Sequence, residues 1–109
     1  DHGMQNLIEG EVKKGAKVIV VEDLISTGGS SLKAVAALRD FGCEVVGMVA
    51  SYTYGFGVAK EAFAQAQVDL TTLTDYEAVI QVALQTGYIE ERHLPLLNAW
   101  RQSPATWKP

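Results

Sequence analysis

Cysteine is nearly absent from this sequence, since Cys43 is the only one among 109 residues. No disulfide can form within the chain, and we expect a reducing compartment, the cytoplasm. Basic residues are also few: nine Lys and Arg stand against thirteen Asp and Glu, for a net charge of −4. That balance leaves no basic patch for a nucleic-acid backbone, so we expect no nucleic-acid partner. No apolar run reaches the length of a membrane span, and we expect no membrane partner either.

Two common phosphate-binding loops are missing as well. The sequence contains no G-x-x-x-x-G-K-[ST], which excludes a Walker A loop, and no G-x-G-x-x-G. Its glycine pair follows two acids, which would oppose the pyrophosphate of a dinucleotide. A phosphate site in this chain must therefore be of another kind.

The stretch from Val18 to Ser30 reads VIVVEDLISTGGS and combines three features in order. Val18–Val21 is a short β-branched run, which predicts a strand buried on both faces of a parallel sheet. Glu22 and Asp23 follow, and we expect them at the carboxyl end of that strand, where ligands bind in open α/β sheets. The loop Ser26–Ser30 then leads directly into a helical pattern.

The chemistry of this order predicts a ligand with two different ends. A loop of glycine, serine and threonine that runs into a helix offers backbone N–H groups and the positive end of the helix dipole, which bind phosphate. Carboxylates accept hydrogen bonds from hydroxyls but repel phosphate, so the acid pair indicates a vicinal diol nearby. A ribose 5-phosphate has both ends. The competing interpretation is an ordinary strand, turn and helix, which the acid pair and the five-residue loop disfavour.

These thirteen residues resemble the phosphoribosyl-diphosphate (PRPP) motif of type I phosphoribosyltransferases. The variant EDLISTGGSS, with DHG and LIEG before it and YTYGFG after it, is similar to the orotate phosphoribosyltransferases of bacteria. The resemblance extends through essentially the whole chain. It implies transfer of a phosphoribosyl group from PRPP to orotate, which yields orotidine 5′-monophosphate and diphosphate, with Mg²⁺ bound mainly through PRPP.

The resemblance also implies roles for individual residues. Glu22 and Asp23 would bind the ribose hydroxyls and stabilise the positive charge that develops at C1. His2 would close over the diphosphate, so these three are the implied catalytic residues, and no side chain is expected to hold the metal directly. The implied substrate-binding residues are Glu22, Asp23, Leu24, Ile25, Ser26, Thr27, Gly28, Gly29, Ser30 and Tyr54.

Tyr54 lies in a glycine-rich turn after the second predicted strand. Packing of the turn aromatics is favoured over stacking on a base, because such turns are common. Many members of the family carry an arginine at this position that contacts the orotate carboxylate, whereas this chain has a TYG-type turn. The residue that would bind the carboxylate is therefore left open.

We interpret residues 1–109 as one phosphoribosyltransferase domain and as the C-terminal portion of a longer protein. By the resemblance, the N-terminal strands, the hood and part of the catalytic loop would precede Asp1. The polar segment Asp1–Asn6 has nothing to anchor it on its own core and is free to reach outward. The resemblance implies that it serves the partner's site in a homodimer.

The remaining pattern alternates strands and helices, which predicts an α/β, Rossmann-like fold with a mainly parallel sheet and helices on both faces. The predicted strands are Leu7–Val12, Cys43–Tyr52 and Val68–Leu73, and the predicted helices are Ser31–Phe41, Val58–Ala66, one capped by Thr74 and closed by Gly87, and Pro95–Gln102.

Two alternatives to orotate transfer remain open. A purine-base phosphoribosyltransferase would share the PRPP motif, and the hood that would reveal the base is not in this sequence. A regulator of the same fold would bind PRPP or nucleotides without catalysis. The DHG at the start of the chain, which matches part of a catalytic loop, favours an enzyme.

Overall fold

The computed structural model describes residues 10–108. Within them lie three strands, β1 (Lys17–Ile25), β2 (Glu44–Thr53) and β3 (Leu70–Asp75). The helices are α1 (Gly29–Phe41), α2 (Gly57–Gln65), α3 (Tyr76–Gln85) and α4 (Leu94–Gln102), and a 3₁₀ turn, Glu91–His93, precedes α4. The predicted His2 site and the segment Asp1–Asn6 lie outside the described residues.

The three strands form one parallel sheet in the order β1-β2-β3. Helix α1 connects β1 to β2, and α2 connects β2 to β3. Parallel neighbours need such crossover connections, and the apolar β-branched runs of β1 and β2 supply strands that a helix can cover. The predicted α/β fold with a parallel sheet is confirmed.

Both crossover helices pack on the same face of the sheet. One buried cluster contains Val35 of α1, Phe63 of α2, and Met48 and Ala50 of β2, which point to one side of their strand. Right-handed crossovers that proceed along a sheet in one direction place their helices on one face. The core of the described residues therefore lies on that face alone.

Strand β1 differs from the prediction of burial on both faces. Its exposure alternates, and the side chains pointing away from the helices are open, with Ile19 at 58% and Val21 at 75% of full exposure. Leu73 of β3 is 81% exposed. The reason is that α1 and α2 both lie on the other face of the sheet. Within the described residues, no helix covers Ile19 and Val21.

Helix α1 begins two residues earlier than predicted, at Gly29, and ends at Phe41 as predicted. Gly42 has a φ of 107°, and backbone N–H groups at this cap donate to the carbonyls of Arg39 and Leu38. This left-handed cap is the reason for the glycine. Because of the earlier start, Gly29 and Ser30 belong to the first turn of the helix and not to the loop before it.

Two other predictions are corrected. Thr74 does not cap α3, because it still pairs with Tyr52 in the sheet, and the carboxylate of Asp75 instead accepts from the Ala78 N–H at 2.9 Å. Of the predicted strand at Leu7–Val12, the part the structure describes, residues 10–12, is not a strand. Strand β1 ends at Ile25, four residues beyond the predicted run, and the other predicted elements are confirmed to within two residues. No helix of the described part is long and apolar enough to cross a bilayer.

Candidate functional site

The carboxyl ends of the three strands meet at one edge of the sheet. In register, Ile25 pairs with Thr53, and Thr53 pairs with Asp75. The N–H of Tyr54 donates to the carbonyl of Ile25 at 3.2 Å, which joins the turn after β2 to the end of β1. The predicted phosphate loop and the predicted Tyr54 turn are therefore neighbours on this edge.

The loop after β1 delivers the start of helix α1 to the same edge. Gly28 is the N-cap residue, with φ 88° and ψ −1°, and Leu32 donates the first helical hydrogen bond to its carbonyl. Among residues 10–108, no side chain accepts from the first-turn N–H groups, and the first turn contains no acid. An uncapped helix start with free N–H groups and a positive dipole end is suited to an anion such as phosphate.

Gly28 is required by packing as well as by conformation. A Cβ atom added there would lie 2.6 Å from Cε1 of Phe63, which is buried in the core. Its φ of 88° is one that residues with a Cβ rarely adopt. Gly29 carries neither constraint, because its added Cβ would only touch the Thr27 hydroxyl oxygen at 3.8 Å. The loop thus turns tightly over Phe63 to bring Thr27 and Ser30 to the surface.

The acid pair lies within β1, near its carboxyl end, and two further residues of the strand follow it. The strand continues to Ile25 because Leu24 and Ile25 still pair with β2. Adjacent residues of a strand point to opposite faces, so the two carboxylates separate. Glu22 points to the helix-covered face and is half-buried, whereas Asp23 is exposed.

Glu22 has a partner that sequence analysis missed. The hydroxyl of Ser31, in the first turn of α1, donates to the Glu22 carboxylate, and Ser31 is itself buried. This bond ties the strand to the helix start. No spacing rule in the sequence predicts it, because the contact depends on how α1 lies over β1.

Tyr54 sits in a cluster of aromatic rings at the end of β2. Its ring stacks on that of Phe56, with centroids 5.1 Å apart, and the Trp100 ring of α4 meets it edge-on at 5.6 Å. Tyr52 and Tyr76 complete the cluster. These aromatic rings pack on one another, and the sequence analysis missed the participation of Trp100 and Tyr76.

Burial raises the pKa of Tyr52 and of Tyr76 above the ordinary value of 10.0. For Tyr76 the nearby Arg101 guanidinium opposes the rise, and its hydroxyl donates to the Leu97 carbonyl at 3.0 Å. Both phenols therefore remain neutral throughout the physiological range. They are uncharged members of the aromatic cluster.

No three His, Cys, Asp or Glu side chains converge as potential metal ligands in the described part of the chain. Asp23 is the exposed carboxylate of β1 at this edge, and a single carboxylate suits Mg²⁺ only if a substrate and water supply the other oxygens.

Comparison with known proteins gives consistent matches. The family model described as a phosphoribosyl transferase domain matches residues 3–86. The orotate phosphoribosyltransferase of Bacteroides thetaiotaomicron is 69% identical over 107 residues, covering 98% of this chain and 50% of the relative. That of Bacillus caldolyticus is 48% identical over 106 residues, with 97% and 52% coverage. The chain thus spans about half the length of the relatives it matches.

Solved structures share the same fold. UMP synthase of Leishmania donovani superposes with a TM-score of 0.71 at 26% identity, covering 85% of this chain and 21% of that one. Orotate phosphoribosyltransferase of Mycobacterium tuberculosis, in complex with Fe(III) dicitrate, has a TM-score of 0.60 at 41% identity, with 70% and 43% coverage. The matched residues 3–86 include β1, the Gly28 loop and α1, and the chain belongs to the phosphoribosyl transferase domain family.

Proposed function

We propose that the protein containing this chain transfers the phosphoribosyl group of PRPP to orotate in pyrimidine nucleotide biosynthesis. The observation that carries the proposal is the uncapped start of α1, which follows the acid-bearing strand directly and suits a sugar phosphate. The identity of 69% to a relative named orotate phosphoribosyltransferase favours orotate as the acceptor. The products are orotidine 5′-monophosphate and diphosphate.

Phosphate binding comes first in the proposed mechanism. The 5-phosphate of PRPP accepts hydrogen bonds from the N–H groups at the start of α1 and from the hydroxyls of the Ser26–Ser30 loop. Because no side chain of the described part caps this helix, the phosphate does not have to displace one of those side chains. Binding energy gained here, far from the reacting carbon, can be used to orient C1 for reaction.

Asp23 acts on the ribose. Its exposed carboxylate accepts from the ribose hydroxyls and stabilises the positive charge that develops at C1 as the bond to diphosphate breaks. The electron pair leaves with diphosphate, and a ring nitrogen of orotate, having lost its proton, forms the new bond to C1. Glu22 is proposed to act in the same way, and the Ser31 hydroxyl also donates to its carboxylate. Glu22 therefore contributes negative charge beneath the sugar and holds the helix start in place.

Other parts of the site come from outside the described residues. We propose that His2 closes over the diphosphate, in trans within a homodimer, and that Mg²⁺ is held by PRPP oxygens, water and at most Asp23. Mg²⁺ would neutralise charge on the leaving diphosphate. The buried thiol of Cys43, which has no disulfide, fits a reducing cytoplasm.

One assay separates the candidate functions. Full-length protein is incubated with PRPP and Mg²⁺ and offered orotate, uracil, adenine and hypoxanthine in separate reactions. We expect a nucleoside monophosphate from orotate alone. Turnover of a purine without turnover of orotate would support a purine-base enzyme, and PRPP binding without turnover of any base would support a regulator.

A further inference from the structure

A small cavity lies beside the Tyr54 turn, between the carboxyl ends of β2 and β3. Its volume is about 130 Å³, and its walls include Tyr54, Gly55, Tyr76 and Arg101, with Lys60 at its edge. The turn that forms one wall is bonded to the end of β1 through the Tyr54 N–H. The cavity therefore belongs to the same edge of the sheet as the proposed PRPP site, without being part of it.

The Arg101 side chain extends from α4 to this cavity, and its hydrogen-bond donors are only partly used by the described residues. One of its terminal nitrogens lies 3.5 Å from the Gly55 carbonyl oxygen and the other 3.3 Å from the Glu77 carboxylate. Its Nε is buried and has no hydrogen-bond partner among residues 10–108. A guanidinium has five donors, and buried donors in native proteins are normally paired. Two long bonds and one orphaned donor therefore leave this group under-satisfied.

Lys60 brings a second positive charge to the same place. A Cβ atom built on Gly55 would lie 3.5 Å from a terminal nitrogen of Arg101 and 4.0 Å from Cε of Lys60. The two cationic side chains thus approach the same turn from α2 and α4. The chain has a net charge of −4 and only nine basic residues, and two of those nine lie at this turn.

Two acids also border the cavity, and neither blocks an anion. Asp75 is committed to capping α3, since its Oδ1 accepts from the Ala78 N–H at 2.9 Å. Glu77 holds Arg101 at 3.3 Å, but its side chain is 76% exposed. Exposed ion pairs contribute little free energy, so a better-placed carboxylate can displace Glu77 from Arg101.

We propose that Arg101, assisted by Lys60, binds the carboxylate of the acceptor substrate in this cavity. The inference rests on the proposed function, because orotate is a flat ring that carries a carboxylate. Arginine binds a carboxylate through two parallel hydrogen bonds, and Tyr54 and Tyr76 line the same cavity, where they can contact the heterocycle. Arg101 is then a specificity-determining residue, since an acceptor without the carboxylate loses this contact.

The test uses full-length protein and separate KM measurements for orotate and for PRPP. Arg101→Gln should raise the KM for orotate by roughly ten- to a hundredfold, the usual effect of losing hydrogen bonds to a charged group. The KM for PRPP should change by less than about twofold, because the PRPP site is formed by other residues. Lys60→Gln should raise the KM for orotate by a smaller factor. Glu77→Gln should lower it, because the competing carboxylate is removed.

Arg92→Gln is the matched control, since Arg92 is exposed and paired with Glu90 away from the cavity. It should leave both KM values unchanged. Equal rises in both KM values for Arg101→Gln, or an unchanged KM for orotate, would overturn the inference. If Arg101→Gln does not fold, the opposite signs expected for Lys60→Gln and Glu77→Gln decide the matter, and equal signs overturn it. Failure of the wild-type protein to use orotate would instead refute the proposed function.

Discussion

Replacement of Gly28 by alanine should destabilise the protein for two separate reasons, backbone conformation and packing. Replacement by alanine keeps a φ of 88° that costs a non-glycine residue roughly 1–2 kcal/mol. The new Cβ would also lie 2.6 Å from Cε1 of Phe63, which is buried and cannot swing away. Overpacking of this kind costs about 1–3 kcal/mol. We therefore expect Gly28→Ala to lower the free energy of unfolding by roughly 2–5 kcal/mol.

Urea denaturation of the full-length protein measures this loss, and calorimetry with PRPP measures its effect on binding. The affinity for PRPP should fall together with the stability, because the strained turn presents the N–H groups at the start of α1. Gly29→Ala is the matched control for stability. Its φ is not positive and its Cβ would meet only the Thr27 hydroxyl at 3.8 Å, so its stability should match or exceed that of the wild type.

A double-mutant cycle separates the cost of the positive φ at position 28 from the cost of the contact with Phe63. Phe63→Leu shortens the side chain beneath the loop, so Gly28→Ala should cost less in that background, although the cost of the positive φ remains. A loss below about 0.5 kcal/mol for Gly28→Ala would place it among neutral surface substitutions. That result would refute the tight packing of the loop over Phe63.

Four further predictions follow from the site. Asp23→Asn should lower kcat more than it raises the KM for PRPP, as loss of a transition-state interaction does; a change confined to the Mg²⁺ requirement would make Asp23 a metal ligand instead. Ser31→Ala removes the buried hydroxyl that donates to Glu22 and should cost about 1–3 kcal/mol in urea denaturation, whereas a neutral effect would contradict that bond. Because the folded-state pKa of Tyr76 is raised above 10.0, the unfolded state releases the proton first, and the contribution of this group to stability should be constant below pH 10.0 and fall above it. The stability of the Tyr76→Phe variant should fall less steeply with pH in the same titration. An equal slope would show that Tyr76 does not contribute to the loss of stability. Mixing one variant that lacks Asp1–Asn6 with one that carries Asp23→Asn should restore about a quarter of wild-type activity if a two-fold dimer shares its sites; no recovery after verified subunit exchange would mean that the segment acts in its own subunit.

Local patterns made much of the fold predictable. The β-branched run, the glycine pair and the helical stripe lie next to one another in sequence, so β1, its loop and α1 were identified with boundaries wrong by only a few residues. By contrast, β1 extends to Ile25 because of its pairing with β2, and pairing across strands leaves no local signal.

The unpredicted parts of the site all depend on long-range contacts. Ser31 meets Glu22 only because α1 lies over β1 in one orientation. Arg101 and Gly55 are 46 residues apart, and Trp100 reaches Tyr54 through the same placement of α4. Periodicity places these residues on a helix face but does not say which turn that face will meet.

A crystal structure of the full-length protein with PRPP bound tests the central claim most directly. We expect the 5-phosphate at the start of α1, within hydrogen-bond distance of the N–H groups of Gly29 and Ser30, and a ribose hydroxyl on the carboxylate of Asp23. PRPP bound elsewhere, or bound with its diphosphate and not its 5-phosphate at this helix start, would contradict the proposed site.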